Sequence, residues 1–338
     1  MKNTQIVFTA PCVAEYLEVP VKEPGAGEVM VETEISTVSP GTEKANLIGD
    51  PNVAGSKASA VVFPRMLGYS TSGRVVAVGE GVSHVAPGDK VVAYWGYHTR
   101  YNVIPAAQVV KLPYAENTMT EAAIAFIASF PLAAVRKTRL EFGESAIVMG
   151  LGLLGQIAVK LLRISGAAPI LAVDPVKERR EEALRNGADY VLDPFAADFA
   201  ERAKALTGGG AKVGIEVTGV GAGLNGILDC MAQFGRVALL GCTRSSDFTV
   251  DYYKKVHFPG ISLIGAHTCA RPTVESHPGY FTHNDDIDAV LKMCAMGRLD
   301  LASMVKEIHT PDECGAVYTR LANDKSFPIL VQFDWTKA

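Results

Sequence analysis

The chain opens in short stretches where apolar and polar residues alternate, among them Val29 to Ile35, Gly73 to Val78 and Lys90 to Tyr94, separated by the turn clusters PGAGE, GEGV and PGD. Alternation with a period of two puts successive side chains on opposite faces of a strand, and Gly, Pro and Asp at the breaks supply turns. The first 115 residues or so therefore predict an antiparallel, barrel-like β domain. From about Thr120 the rhythm changes. The compact apolar runs SAIVM, PILAVD, YVLD, VGIEV and RVALLG are joined by helical segments, the first reaching about Ser165 and the second running from Val176 to Asn186. Such alternation predicts a parallel sheet with helices on both faces. After SLIGAHT, near Gly265, it stops. The polar loop CARPTVESHPGYFTHND leads to one helix and strand-like pieces that are expected to return to the first domain. The resulting boundaries are 1–120, 121–266 and 267–338, with no internal repeat or low-complexity tract.

Composition narrows the function classes. Over 338 residues, 48% are hydrophobic and 20% charged, enough apolar material for a real core and against global disorder. Lys and Arg number 32 against 36 Asp and Glu, a formal charge of −4, which argues against a nucleic-acid or anionic-membrane partner. The opening MKNTQIVFTAPCVAEYLEVP breaks its only apolar run within a few residues, so neither a signal-peptide core nor a spanning helix is expected there, and a cytoplasmic protein is. The apolar stretch Glu121 to Val135 is interrupted by Pro131 and is shorter than the roughly 20 residues a bilayer needs. Six cysteines form no CxxC pair and fit neither a disulfide framework nor a zinc knuckle.

The sharpest local signal is GLGLLG, with Gly150, Gly152 and Gly155 between the strand SAIVM and an apolar-periodic helix. In that context the first glycine makes the turn, the second lets backbone approach a pyrophosphate, the third permits close helix packing, and the helix start offers free N–H groups to the anion. Asp174 ends the next strand, 19 residues after Gly155, where a carboxylate accepts hydrogen bonds from the adenosine ribose. It favours NAD over NADP: a 2′-phosphate about 4 Å away would be repelled by roughly 1 to 4 kcal/mol per charge pair. Lys177, Arg179 and Arg180 follow closely and soften that preference.

Several segments carry a resemblance: GEVMVETEISTVSPGTE, LGYSTSGRVVAVGEGVSHVAPGDKVV, GLGLLG, the Asp174 segment with NGADYVLD, and IEVTG followed by GRVALLG. Together they resemble the medium-chain dehydrogenase/reductase superfamily of zinc alcohol dehydrogenase-like proteins over nearly the whole chain. The resemblance implies an α/β fold with a GroES-like β-barrel catalytic domain and a Rossmann doubly wound parallel sheet. It also implies hydride transfer at C4 of a nicotinamide held between them, and homo-oligomers, a homodimer or tetramer in which ISLIG at the sheet edge pairs across a two-fold axis. The cofactor residues it implies are Gly150, Gly152, Leu153, Leu154, Gly155, Asp174, Arg179, Thr218, Gly241, Cys242, Thr243, Ala266 and His267.

Departures from the family pattern bear on the chemistry. Where zinc members carry a cysteine before Gly-Thr-Asp, this chain has Pro40 before Gly41, Thr42 and Glu43. Gly68, Tyr69 and Ser70 stand in place of Gly-His-Glu, Phe126 falls at the third ligand, and the four-cysteine structural-zinc lobe is missing. Zinc takes N, S or O donors that Pro, Tyr and Phe do not offer here, so a metal-free site is expected. Two short segments, SPGTE and GYS, resemble a zinc-free branch that includes the bacteriochlorophyllide hydroxyethyl dehydrogenases. Without a metal, a side chain does the proton work. Thr42 matches the family's relay hydroxyl. Tyr69, a phenol of ordinary pKa about 10, loses its proton more readily beside an oxidised nicotinamide. Tyr97 and His98 lie in YWGYHTRY, with His98 a candidate base or outward proton carrier and Glu43 a support. The polar loop from Cys269 to Asp286 suits a sugar or polyol substrate. The expected activity is zinc-independent hydride transfer between NAD(H) and a small polar secondary alcohol. Two other readings fit the same residues: a quinone- or enoyl-type double-bond reductase using NAD(P)H, and a nucleotide-binding sensor without turnover.

Overall fold

In the structure, a computed structural model that describes residues 2–52 and 62–338, the period-two segments form antiparallel strands. The first unit comprises residues 1–127 and 287–338. It opens with β1 (Asn3–Ala10), β2 (Val13–Val19) and β3 (Glu28–Thr37), followed by helix α1 (Pro40–Leu47). Then come β4 (Arg65–Met66), β5 (Ser70–Val78), β6 (Lys90–Tyr94), β7 (Tyr101–Pro105) and β8 (Val109–Lys111). β3 pairs with β5 and with β7, and β6 lies between β5 and β8, all antiparallel. The inward positions Val29, Val31, Val75, Val91, Ala93 and Ile104 form the core that this alternation predicts.

Helix α2 (Met119–Thr138) carries the chain from the first unit into the second. The proline that interrupts the apolar stretch, Pro131, lies inside the helix, which runs through it for 20 residues. Proline inside a helix costs about 3 kcal/mol through the lost N–H and a ring clash. Burial of Ala122 to Ala128 and of Leu132 to Val135 offsets that cost. Among the described residues α2 alone is long and apolar enough to cross a membrane, and most of it is buried inside the fold.

The second unit, residues 128–286, alternates strand and helix: β9 (Ala146–Met149), α3 (Leu153–Ile164), β10 (Ile170–Val173), α4 (Lys177–Arg185), β11 (Tyr190–Leu192), α5 (Phe199–Leu206), β12 (Ala211–Glu216), α6 (Gly221–Asp229), β13 (Met231–Leu239) and β14 (Ser262–Gly265). The sheet order is β11-β10-β9-β12-β13-β14, parallel throughout. Strand order reverses between β9 and β12, so the crevice for a ligand opens at the carboxyl ends of those two strands.

The tail holds two helices where the sequence reading has one, α7 (His283–Ala295) and α8 (Cys314–Asn323), with β15 (Glu307–His309) and β16 (Val331–Asp334). α8 buries Cys314, Val317, Tyr318 and Leu321, spaced i, i+3, i+4 and i+7, against Phe8, Val331 and Phe333. That helical period is present in the sequence but is broken up by Gly315 and by polar neighbours. β16 returns to pair antiparallel with β3.

Candidate functional site

Each glycine of the fingerprint has its own geometric reason. Gly150 sits at φ +98°, and a Cβ there would lie 2.9 Å from the Thr218 methyl. At Gly155 a Cβ would lie 1.9 Å from the Gly150 carbonyl oxygen, so only glycine lets α3 approach the turn. Gly152, the residue capping α3, has nothing within 4 Å of its Cβ position and faces open space, as a backbone that receives an anion requires.

Asp174 follows β10 with its side chain 5% exposed. Its Oδ2 accepts from Leu151 N–H at 2.8 Å and its Oδ1 from Val176 N–H at 2.8 Å, so the carboxylate also ties the glycine loop to the turn before α4. Arg179 Nη1 stands 3.7 Å from Oδ2, while Arg180 is spent on the Asp174 carbonyl at 2.6 Å and on Asp193. The buried Gln156 amide bridges the loop to α4, donating to the Arg179 carbonyl at 2.8 Å. The remaining predicted cofactor residues gather at the same strand ends. Leu153 and Leu154 open α3, and Thr218 packs on Gly150. A Cβ at Gly241 would come within 2.3 Å of Gly219 N, and Cys242 and Thr243 follow directly with Cys242 exposed. Ala266 is buried and His267 exposed beyond β14. Lys137, buried on α2, donates to the carbonyls of Gly265 at 2.9 Å and Ala270 at 2.5 Å, pinning both ends of that turn. Sequence reasoning missed Gln156 and Lys137, whose partners are distant along the chain, and the buried Glu216, whose partners are its near neighbours Thr218 and Gly219.

In the first unit, Tyr69 donates its phenol O–H to Ser39 Oγ at 2.5 Å. Its ring lies 5.6 Å from Trp95 and 5.8 Å from Phe126, and Phe126 stacks on Tyr94 at 4.6 Å. Aromatic volume thus surrounds the positions that the family resemblance aligns with the zinc members' ligands. Ser39 was quoted in SPGTE but not singled out; a hydroxyl directly before a proline-started helix is the signal that could have found it. Thr42, in the first turn of α1, is half-buried, and its hydroxyl has no partner among the described residues.

His98 lies elsewhere, buried, with Nδ1 2.7 Å from Ser36 Oγ and Nε2 3.3 Å from both Glu43 oxygens. Ser36 Oγ also accepts from Trp335 Nε1 at 2.8 Å, so its one hydrogen turns to Nδ1 and the histidine presents Nε2–H to Glu43. Glu43 further accepts from Ser39 N–H at 2.8 Å and from Tyr318 O–H at 2.6 Å. Burial and the Glu43 charge hold the Tyr318 phenol well above its ordinary pKa, so it stays a donor. This network braces the start of α1, and His98 has no opening to solvent from which to pass a proton outward. Tyr97 points the other way, 43% exposed, with only its backbone held, by Asn102.

The polar loop spends its groups on itself. Arg271 pairs with Asp286 at 3.1 Å and with the Ser129 carbonyl at 3.2 Å, while Ser276 and Thr282 both donate to Asp285. No group of three or more His, Cys, Asp or Glu is placed to hold a metal among the described residues.

Comparison with known proteins agrees with the fold. Residues 25–114 match the alcohol dehydrogenase GroES-like domain family, and residues 154–277 match the zinc-binding dehydrogenase family. The chain is 27% identical over 287 residues to D-guloside 3-dehydrogenase of Escherichia coli K12, covering 79% of this chain and 82% of that one. Among solved structures it superposes on benzyl alcohol dehydrogenase of Acinetobacter calcoaceticus with a TM-score of 0.86, at 18% identity over 99% of each chain. It also superposes on an Escherichia coli CFT073 alcohol dehydrogenase complexed with NADH, with a TM-score of 0.82, at 16% identity over 99% of each. The chain is an alcohol dehydrogenase-like oxidoreductase and belongs to the medium-chain dehydrogenase/reductase superfamily.

Proposed function

We propose that this protein is a zinc-independent dehydrogenase that moves a hydride between NAD(H) and a small polar secondary alcohol, of the sugar or polyol class. The observation that carries the proposal is the Tyr69–Ser39 hydroxyl pair, standing with Pro40 and Phe126 where zinc members hold their metal. Proline and phenylalanine have no donor for zinc, and a half-buried phenol bonded to a serine is a poor ligand set, so the proton work falls to hydroxyls. The bound nicotinamide supplies the hydride acceptor at C4. As Tyr69 Oη takes the alcohol proton its own proton passes to Ser39 Oγ, the half-buried Ser39 releases its hydroxyl proton to solvent water, and the unengaged Thr42 hydroxyl orients the substrate oxygen. In the second unit Gly152 and the start of α3 receive the pyrophosphate. Asp174 supports NAD over NADP, with Arg179 offsetting part of its charge. The sugar class draws support from the D-guloside 3-dehydrogenase relative and from the Trp95 ring, 39% exposed beside Tyr69. The free edge of β14, one end of the parallel sheet, supports a homodimer paired there.

The test is NADH formation at 340 nm with EDTA present, across sugars, polyols and simple secondary alcohols. Turnover that EDTA leaves intact is the expected result. Silence across the panel together with consumption of NADH or NADPH by enones would replace the proposal with double-bond reduction.

A further inference from the structure

At the carboxyl end of β12, beside β9 and the glycine loop, the Glu216 side chain is buried with no cation in contact among the described residues. Its Oε1 accepts from Thr218 N–H at 2.8 Å and from the Thr218 hydroxyl, and Gly219 N–H reaches both oxygens at 3.2 and 3.1 Å. The turn it shapes is the one packed on Gly150, where a Cβ would meet Thr218 N at 3.3 Å and the Thr218 methyl at 2.9 Å. Gly223 leaves room for the same cluster, since a Cβ there would sit 3.0 Å from Glu216 Oε1. Burial pushes the carboxyl pKa up against the pull of the three donors, as expected for a charge held by dipoles alone. A carboxylate with no counter-cation is an expensive group to bury for the sake of one turn, which a neutral Asn or Ser could shape. Its position, at the strand ends where order reverses, is where a dinucleotide lies.

We propose that Glu216 is a positioning residue of the nucleotide site whose buried negative charge biases binding toward the oxidised, cationic nicotinamide over the reduced, neutral one, while its hydrogen bonds hold the Thr218–Gly219 turn against the glycine loop. The inference rests on the reading of this site as one for NAD(H). The two forms of the cofactor differ by one positive charge on the ring. A purely structural role for Glu216 would therefore change both affinities alike, whereas a charge role changes their ratio.

The test measures equilibrium dissociation constants of the full-length protein for NADH, by fluorescence titration, and for NAD, by calorimetry. In Glu216→Gln the ratio Kd(NAD)/Kd(NADH) is expected to rise by roughly fourfold or more, the effect of one unit charge on another at separations of order 10 Å and an effective dielectric of about 40. Thr218→Val, which loosens the turn but keeps the carboxylate, is expected to weaken both forms by a common factor. Equal changes in both affinities for Glu216→Gln, or none, overturn the inference and leave the proposed function standing. If that variant does not fold by circular dichroism, Glu216→Asn, a neutral residue that can still shape the turn, carries the test: the ratio is expected to rise likewise, and a ratio at the wild-type value refutes the charge role. A wild-type protein that binds neither NADH nor NADPH overturns the nucleotide reading, and this inference with it.

Discussion

Removing one oxygen atom, in Tyr69→Phe, separates the chemical role of this side chain from its packing. The ring keeps its neighbours, Trp95 at 5.6 Å and Phe126 at 5.8 Å, so no cavity opens. What is lost is the 2.5 Å hydrogen bond to Ser39, in a half-buried setting where such a bond contributes about 0.5 to 1.5 kcal/mol to stability. If the phenol is the proton acceptor, the loss of rate is far larger: general acid–base catalysis contributes about 10² to 10⁴, or roughly 2.7 to 5.4 kcal/mol in the barrier. The two effects therefore differ severalfold and are read separately. Urea unfolding reports the first, and steady-state oxidation of the best alcohol from the panel, with EDTA present, reports the second. NADH affinity measured by fluorescence is expected to stay at the wild-type value, because every residue proposed to hold the nucleotide lies in the second unit. A variant that retains more than about a third of wild-type kcat/KM, or that loses cofactor affinity in step with activity, would refute the assignment of Tyr69 as the base.

Gly155→Ala drives a Cβ to 1.9 Å from the Gly150 carbonyl, a backbone atom that cannot step aside, so NADH affinity is expected to fall more than about tenfold, measured by the same titration. Burial and the Arg271 charge push the His283 imidazole down to about 3, below the ordinary 6.5 that it regains on unfolding. The unfolded chain then binds the extra proton between those values, so stability is complete above about pH 6.5 and declines as pH falls toward 3; His283→Asn should flatten that slope in urea titrations across the range. Light scattering is expected to give a dimer, and Leu263→Lys, a charge at the free edge of β14 where the residue is 41% exposed, is expected to raise the monomer fraction; an unchanged dimer would place the interface elsewhere.

The nucleotide-binding half was legible because its signals are local. A strand, three glycines at fixed offsets and an acid at the end of the next strand are each set by backbone geometry within about thirty residues, and the structure gives Gly150 and Gly155 the steric reason that the spacing implies. Glu216 was not legible, although it lies inside the quoted IEVTG, because nothing in the sequence says that its carboxylate turns back onto the next three residues rather than outward. Pro131 shows the opposite case, a local preference overruled by distant packing. Its local preference is to end a helix, and burial on both sides outweighs that preference.

The hydroxyl site of the first unit shows why absence of a motif is harder to read than its presence. Pro40, Tyr69 and Phe126 stand where the family pattern puts ligands, and a substituted ligand position constrains neither direction nor partner. The phenol of Tyr69 is aimed by Ser39, thirty positions away, and Ser39 is set in turn by its N–H bond to Glu43. Glu43 is held by His98 from one loop and by Tyr318 from the tail helix. A histidine that reads from its sequence segment as a candidate base is, in three dimensions, part of the brace for the residue proposed to do the proton work. The two roles have opposite requirements: a base needs an open path to substrate, while a brace needs every polar atom occupied. His98, with both ring nitrogens engaged and 1% of its surface exposed, meets the second requirement; Tyr69, directly before β5, and Thr42, in the first turn of α1, are half-buried and suit the first.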